Sequence, residues 1–490
     1  MSRRRTVPRA LALVLLGLTV AAPGGARAAQ ANTDPRPRTP IEHFVVLMQS
    51  NRSFDHYFGT YPGAEGVPKG TCLPFDASAR TRRPSATRRS CVAPFHLGRR
   101  PVQDLPHTRD VFRREYAQGR MDGFVAAQQG AGIGAVENVM GYYDDRELPF
   151  YWNVARDNVL FDRYFTSAAD GSFKNRVFWV AGAPPTSSSN QLPPEGLGGL
   201  TIFDRLEERG ISWKFYVENY DSEINYRGAG RSNSPQVRWV PPLYYARFID
   251  DPKLSSRIVD LDEYYEDLEK GTLPSVAYVA TVAGSEHPPG TSPPAVDGEP
   301  SLRVGQQLVR TMLNTLMRSS SWSSSAFMWS YDDWGGWYDH VPPPRVDRYG
   351  YGFRAPALLV SPYARRGHVD STVLDHTSPL KFIEQNWGLK PLARRDARAN
   401  SIASAFDFTR GPRAASLIPP TRGDEPRAEP RRSIIYGIYG GAFALAMLVV
   451  VSGAASAGGR RRRGPIVRGE EIYFRAPGSP DPALPREGEP

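Results

Sequence analysis

Glu42-His43-Phe44-Val45-Val46-Leu47-Met48, running into Gln49-Ser50-Asn51-Arg52-Ser53-Phe54-Asp55-His56, is the stretch that decides the fold. Its first seven residues are an apolar run of strand length that stops at polar residues, the pattern of a strand buried on both faces. Working outward, residues 275–280, 326–331 and 357–361 have the same form. Helical patterns lie between them. Leu308, Val309, Met312, Leu313 and Leu316 recur at helix spacing just before residue 326, and Phe203 and Leu206 begin another helix before residues 211–216. The alternation predicts an α/β fold, a doubly wound, mainly parallel sheet with helices on both faces. Such sheets bind ligands beyond the carboxyl ends of their strands, so the residues that follow each strand are where chemistry is expected.

The two ends of the chain read as addresses. Residues 1–28 combine a basic start, an apolar run and Ala26-Arg27-Ala28, the form of a cleaved signal peptide. Residues 434–457 carry no charge and are long enough to cross a bilayer. Arg460 to Arg463 follow at once, which puts the tail, residues 458–490, in the cytoplasm and the bulk of the chain outside. Residues 409–433 are rich in Pro and Arg and read as a stalk. Residues 34–408 then form the folded domain. Its chain holds only two cysteines, Cys72 and Cys91, and an even pair in an exported protein predicts a disulfide. The net charge of +10 over 490 residues does not predict a nucleic-acid partner, because the densest arginine clusters flank the membrane signals.

Three groups of residues follow the strands. Ser50 and Asn51 come after the first. Asp332-Asp333-Trp334-Gly335-Gly336 comes after the strand at 326, and adjacent carboxylates before glycines suit a hard or borderline cation, although a solvated turn has the same composition. Ser167-Ala168-Ala169-Asp170-Gly171-Ser172-Phe173-Lys174-Asn175-Arg176 precedes an apolar stretch. Ser172 at a helix start is either a cap or a nucleophile, since a helix N-terminus favours phosphate. The eight histidines include His287 just after a strand, His376 before a helix and His107 in Asp104-Leu105-Pro106-His107; each alone also reads as an ordinary polar or core histidine.

Taken in order, Met48 to Gly59, Asp104 to His107, Met121-Asp122-Gly123-Phe124, Met140 to Tyr143, Leu148 to Tyr151, Asp162 to Phe165, Ser285 to Pro288, Asp332 to Pro343 and Asp375 to Ser378 resemble the bacterial phosphoesterase family. That family contains phospholipases C and acid phosphatases and belongs to the alkaline-phosphatase superfamily. The resemblance covers nearly the whole folded region. It implies a doubly wound α/β domain that hydrolyses phosphate esters, and one divalent metal ion is expected because the sequence offers no full second set of His and Asp ligands. By position it implies Ser172 as nucleophile, Asn51, Asp332 and Asp333 as metal-side residues, and His107, His287 and His376 as pocket histidines. Arg176 is expected either to clamp phosphate oxygens or to play a structural part.

The chain departs from the family in a few places. Ser50 stands where the family usually has a metal-ligand Glu, Asp333 replaces a usual Glu, and Trp334 replaces a commonly polar residue. The nucleophile segment lacks the family's prolines, and Asp170 is a candidate substitute for the missing carboxylate. Two functions follow as expectations. One is a membrane-anchored, extracytoplasmic hydrolase of a phospholipid or a smaller phosphate ester. The other is a surface binding protein that keeps the fold with impaired catalysis, because Ser50 removes a charge.

Overall fold

The computed structural model describes residues 36–75, 91–98, 102–184, 192–227, 234–281 and 301–422, the side chain of Ser301 excepted. The chain divides at Gly423, and the second unit, Asp424–Pro490, lies outside the described residues. So do the expected signal peptide, the 434–457 segment, the cytoplasmic tail and His287. Among the described residues no helix is long and apolar enough to cross a membrane.

Eight strands form the main sheet: β1 (His43–Gln49), β2 (Val159–Phe161), β3 (Trp213–Val217), β4 (Ile258–Asp260), β5 (Val276–Ala280), β6 (Ser325–Tyr331), β7 (Ala357–Val360) and β8 (His368–Asp370). Their spatial order is β8-β2-β7-β6-β1-β5-β3-β4. β1 runs parallel to β6 and to β5, and β3 runs parallel to β5 and β4. β7 alone is antiparallel to both its neighbours, β6 and β2. The mainly parallel sheet expected from the apolar runs is therefore present. The short strands β2, β4 and β8 carry three residues each, too few for a periodic signal.

β1 shows why the sheet is central. Side chains alternate across a strand. Val45 and Leu47 enter one core with Val309, Met312, Leu313 and Leu316 of the helix Ser301–Arg318. Phe44, Val46 and Met48 enter the other, with Val177, Trp179 and Val180 of the helix Ser172–Ala181. A strand with helices on both sides buries every residue after its first, hence its unbroken apolar run.

Cys72 and Cys91 form a disulfide, with Cα atoms 5.5 Å apart, beside the antiparallel pairing of Leu73–Pro74 with Cys91–Val92. Residues 409–422, expected as part of a stalk, lie instead on the domain. Arg413 Nη2 donates to Ser361 O at 3.0 Å, Ile418 is buried in the core, and Asn153 Nδ2 donates to Pro419 O and Thr421 O at 2.9 and 2.7 Å. Arg422 pairs with Asp145 at 2.9 Å. One isoleucine and a few polar contacts hold the segment down with no periodic apolar face, so its sequence carries no signal of docking.

Candidate active site

β1 and β6 are hydrogen-bonded neighbours in register, Gln49 beside Tyr331, so Ser50–Asn51 and Asp332–Asp333 leave the sheet side by side at its carboxyl edge. Asp332 N donates to Gln49 O and Arg52 N to Asp333 O, each at 3.0 Å. The two loops press together closely. A Cβ on Gly335, where φ is +62°, would stand 2.3 Å from Asn51 O, so this turn requires glycine. Asn51 itself has φ of 70°, a region Asn tolerates better than most residues.

The acidic pair is completely buried. Asp332 Oδ1 accepts from Asn51 N at 3.2 Å and from Asp333 N at 2.8 Å. Its Oδ2 accepts from Ser50 Oγ at 3.2 Å and from Arg176 Nε at 2.9 Å. Asp333 Oδ1 accepts from Gly335 N at 2.8 Å, and its Oδ2 accepts from Ser172 Oγ at 3.0 Å. One terminal atom of the Asn51 amide faces Asp332 Oδ1 and Asp333 Oδ1, 3.2 Å from each. As nitrogen it donates to both carboxylates. As oxygen it completes a set of three oxygens for a hard cation. The donor set therefore fits a divalent metal ion held by Asn51, Asp332 and Asp333.

Ser172 opens the ten-residue helix Ser172–Ala181, behind Gly171 at the cap. The serine is half-buried, and its hydroxyl points at Asp333 rather than capping its own helix. Asn175 holds the preceding loop in place: its Oδ1 accepts from Ala168 N at 2.8 Å, and its Nδ2 donates to Asp170 O at 2.9 Å. Ser172 thus combines a helix N-terminus, favourable to phosphate, with a carboxylate able to take its proton.

Two expectations are corrected and one alternative is decided. Arg176 takes the structural part, not the phosphate clamp. It is fully buried, and besides Asp332 its Nη1 donates to Trp239 O at 2.9 Å and its Nη2 to Ser50 Oγ at 3.0 Å. Ser50 does not join the three-oxygen set; its hydroxyl is spent between Arg176 and Asp332. Asp170 does not replace the missing carboxylate, because Lys174 Nζ pairs with it at 2.5 Å in a buried ion pair. Asp170 lies just before the cap of that helix, so no helical spacing in the sequence marks its pairing with Lys174.

Of the three histidines expected in the pocket, the two among the described residues differ. His107 is partly exposed, and its Nδ1 donates to Leu105 O at 2.6 Å. Burial lowers its pKa, but Asp333, Asp104 and the Leu105 carbonyl outweigh that and raise it above the usual value. Burial and the neighbouring Asp332 raise Asp333, with His107 opposing them. His376 is fully buried, and burial pushes its pKa down to about 4 despite Asp375. Its Nε2 donates to Tyr331 O at 3.0 Å, which leaves the buried Nδ1 lone pair without a partner. A neutral His376 with its Nε2 spent on Tyr331 can act at the site only as an acceptor through Nδ1. Its backbone N donates to Ser167 Oγ at 3.1 Å, and Ser167 Oγ donates to Asp375 at 2.9 Å, which ties it to the nucleophile loop.

A second charged cluster escaped the sequence reading. Asp55, Asp339 and His340 converge, and Arg354 sits among them with Nε 3.0 Å from Asp339 Oδ1 and Nη2 2.9 Å from Asp55 Oδ1. The guanidinium supplies the positive charge, so this group is an ion-pair hub. Asp55 and Asp339 lay inside the matched motifs. Arg354 reaches the same edge only because β7 runs antiparallel and begins where β6 ends.

Residues 41–390 match the model of the Phosphoesterase family, and the chain belongs to that family. The non-hemolytic phospholipase C of Pseudomonas aeruginosa is 28% identical over 422 residues, which cover 75% of this chain and 57% of that protein. Phospholipase C A of Mycobacterium tuberculosis is 28% identical over 472 residues, covering 83% of this chain and 85% of that one. The chain thus spans little more than half the length of the Pseudomonas relative. A solved protein of the alkaline phosphatase superfamily from Vibrio parahaemolyticus is 16% identical and covers 54% of this chain and 68% of its own, at a TM-score of 0.32, too low to bear on the site.

Proposed function

We propose that this member of the phosphoesterase family is a metal-dependent phosphoric ester hydrolase of phospholipase C or phosphatase type, with Ser172 as nucleophile. The observation that carries the reading is the Ser172 Oγ to Asp333 Oδ2 hydrogen bond of 3.0 Å, at a helix N-terminus beside Asn51 and Asp332. Similarity to proteins named phospholipase C supports the substrate class. The signal-like start and the charge-free 434–457 segment support export and anchoring in the cell membrane, with the domain outside.

A divalent cation, when bound, would supply charge that makes the nucleophile more acidic and offsets the negative phosphoryl oxygens. Asn51, Asp332 and Asp333 would hold it. The chain's own residues do the rest. Asp333 is placed to accept the Ser172 proton as Oγ attacks phosphorus, and the helix N-terminus favours the phosphoryl group. His107 spends Nδ1 on Leu105, so Nε2 is the nitrogen that protonates the leaving oxygen. Water then hydrolyses the phosphoseryl ester. His287 remains a candidate for contact with the leaving group.

The test is hydrolysis of p-nitrophenyl phosphate and p-nitrophenylphosphorylcholine by the purified protein with added divalent metals. Turnover is expected, and it is lost in Ser172→Ala. No turnover above that control under any metal refutes the reading. One observation favours a second reading, a binding protein of impaired catalysis: Arg176, not a second carboxylate, faces Asp332 beside Ser50. Activity that appears only in Ser50→Glu decides for it.

A further inference from the structure

Glu115 lies on the helix Arg109–Tyr116 and is fully buried, yet no sequence motif marks it. Its carboxylate has two partners. Oε2 accepts from Trp334 Nε1 at 2.8 Å, and Oε1 accepts from Gln128 Nε2 at 2.7 Å. Trp334 directly follows Asp333. Gln128 Nε2 also donates to Pro106 O at 2.8 Å, the residue before His107. One buried carboxylate therefore reaches both loops of the site, the loop of the acidic pair and the loop of the partly exposed histidine.

The packing around it agrees. The Trp334 ring meets Phe112 and Phe353 edge-on, each at 5.5 Å, and His107 edge-on at 6.2 Å. Gly336, at φ +80°, closes the same turn; a Cβ there would stand 2.6 Å from Leu105 Cβ, 2.9 Å from Gln128 Nε2 and 3.0 Å from Pro106 O. The 334–336 turn and the 105–106 segment are in direct contact with no space for a side chain between them. A carboxylate in an aromatic cluster is costly to bury, and burial raises the Glu115 pKa well above the usual range. An apolar side chain would fill the space at lower cost but could not accept two hydrogen bonds. Indole N–H is a donor only, so the buried Trp334 needs an acceptor such as Glu115.

We infer that Glu115 is a positioning residue which, by joining Trp334 to Gln128, sets the placement of Asp333 relative to His107. The inference rests on the phosphoesterase reading of those two residues.

The test uses the full chain and three variants, Glu115→Gln, Trp334→Phe and the double substitution, with p-nitrophenyl phosphate at saturating divalent metal. Each single change is expected to lower kcat about tenfold with KM held within about twofold, and the double to be no slower than the slower single, as for residues acting as one unit. Wild-type kcat in the singles, a rise in KM at unchanged kcat, or losses that multiply in the double each overturn the inference. Crystal structures of the wild type and Trp334→Phe give a readout apart from activity. The 104–107 and 332–336 segments are expected to move relative to one another by about 0.5 Å or more, the tolerance of a catalytic constellation. An unchanged separation overturns the inference whatever the kinetics. If the wild type turns nothing over, the phosphoesterase reading falls, and the two crystal structures decide this inference by themselves.

Discussion

Replacing Arg176 by Met keeps the aliphatic bulk of a buried side chain and removes its charge. Asp332 then retains Ser50 Oγ, Asn51 N and Asp333 N as donors but loses its counter-charge at 2.9 Å. Breaking a buried ion pair on one side costs about 3–5 kcal/mol. The same guanidinium repels any divalent cation held by Asp332. At about 6 Å and an effective dielectric constant near 20, a single against a double positive charge is on the order of 5 kcal/mol, of which relaxation and screening leave a part. Metal affinity is therefore expected to tighten tenfold to a hundredfold, or about 1.4–2.7 kcal/mol. The destabilisation measured in saturating metal should be smaller than that in chelator by that amount. Urea unfolding of both proteins, with EDTA and with a divalent metal, followed by tryptophan fluorescence, gives the double difference. An equal loss in both media would show that no cation binds at Asp332, and the metal-site argument would fail with it.

Other outcomes follow from the same structure. Removing the Cys72–Cys91 disulfide, which closes a separation of 19 residues, should cost about 3 kcal/mol of stability. A fall in the urea midpoint of Cys72→Ser/Cys91→Ser checks it, and a loss below about 1 kcal/mol would mean that the loop is held by other contacts. Glu384 is buried, and burial first, then Asp396, raises its pKa above the unfolded value. The folded state thus holds the proton more tightly. The stability this contributes is full below the unfolded pKa and is lost as pH rises toward the folded one. Glu384→Gln should therefore melt at a higher temperature than the wild type at pH 8 and show little difference at pH 4. The reverse order in thermal melts would refute this.

Much of the site was legible because its residues come just after long, strongly apolar strands. Asn51, Asp332 and Asp333 could be placed together once β1 and β6 were read as neighbours in a parallel sheet. Ser172 could be placed because its segment precedes an apolar helix. Arg176, Arg354 and Glu115 were illegible in role for a shared reason. Each is a charged residue buried by partners distant in sequence, and nothing in its local pattern distinguishes it from a solvated one. The docked 409–422 segment was hidden by the opposite problem, a disordered-looking composition held by a few specific contacts.

What the sequence alone determined was the class of fold, the edge of the sheet that carries the chemistry and most of the residue types found there. Those depend on local periodicity and on short motifs, which are properties of neighbouring residues. The tertiary structure decided which charge meets which. Asp332 faces Arg176 instead of an open pocket, Asp170 is taken by Lys174, and His376 is held neutral by burial. Such pairings depend on distances and dielectric surroundings, and only the folded chain brings residues 156 positions apart, Arg176 and Asp332, to 2.9 Å.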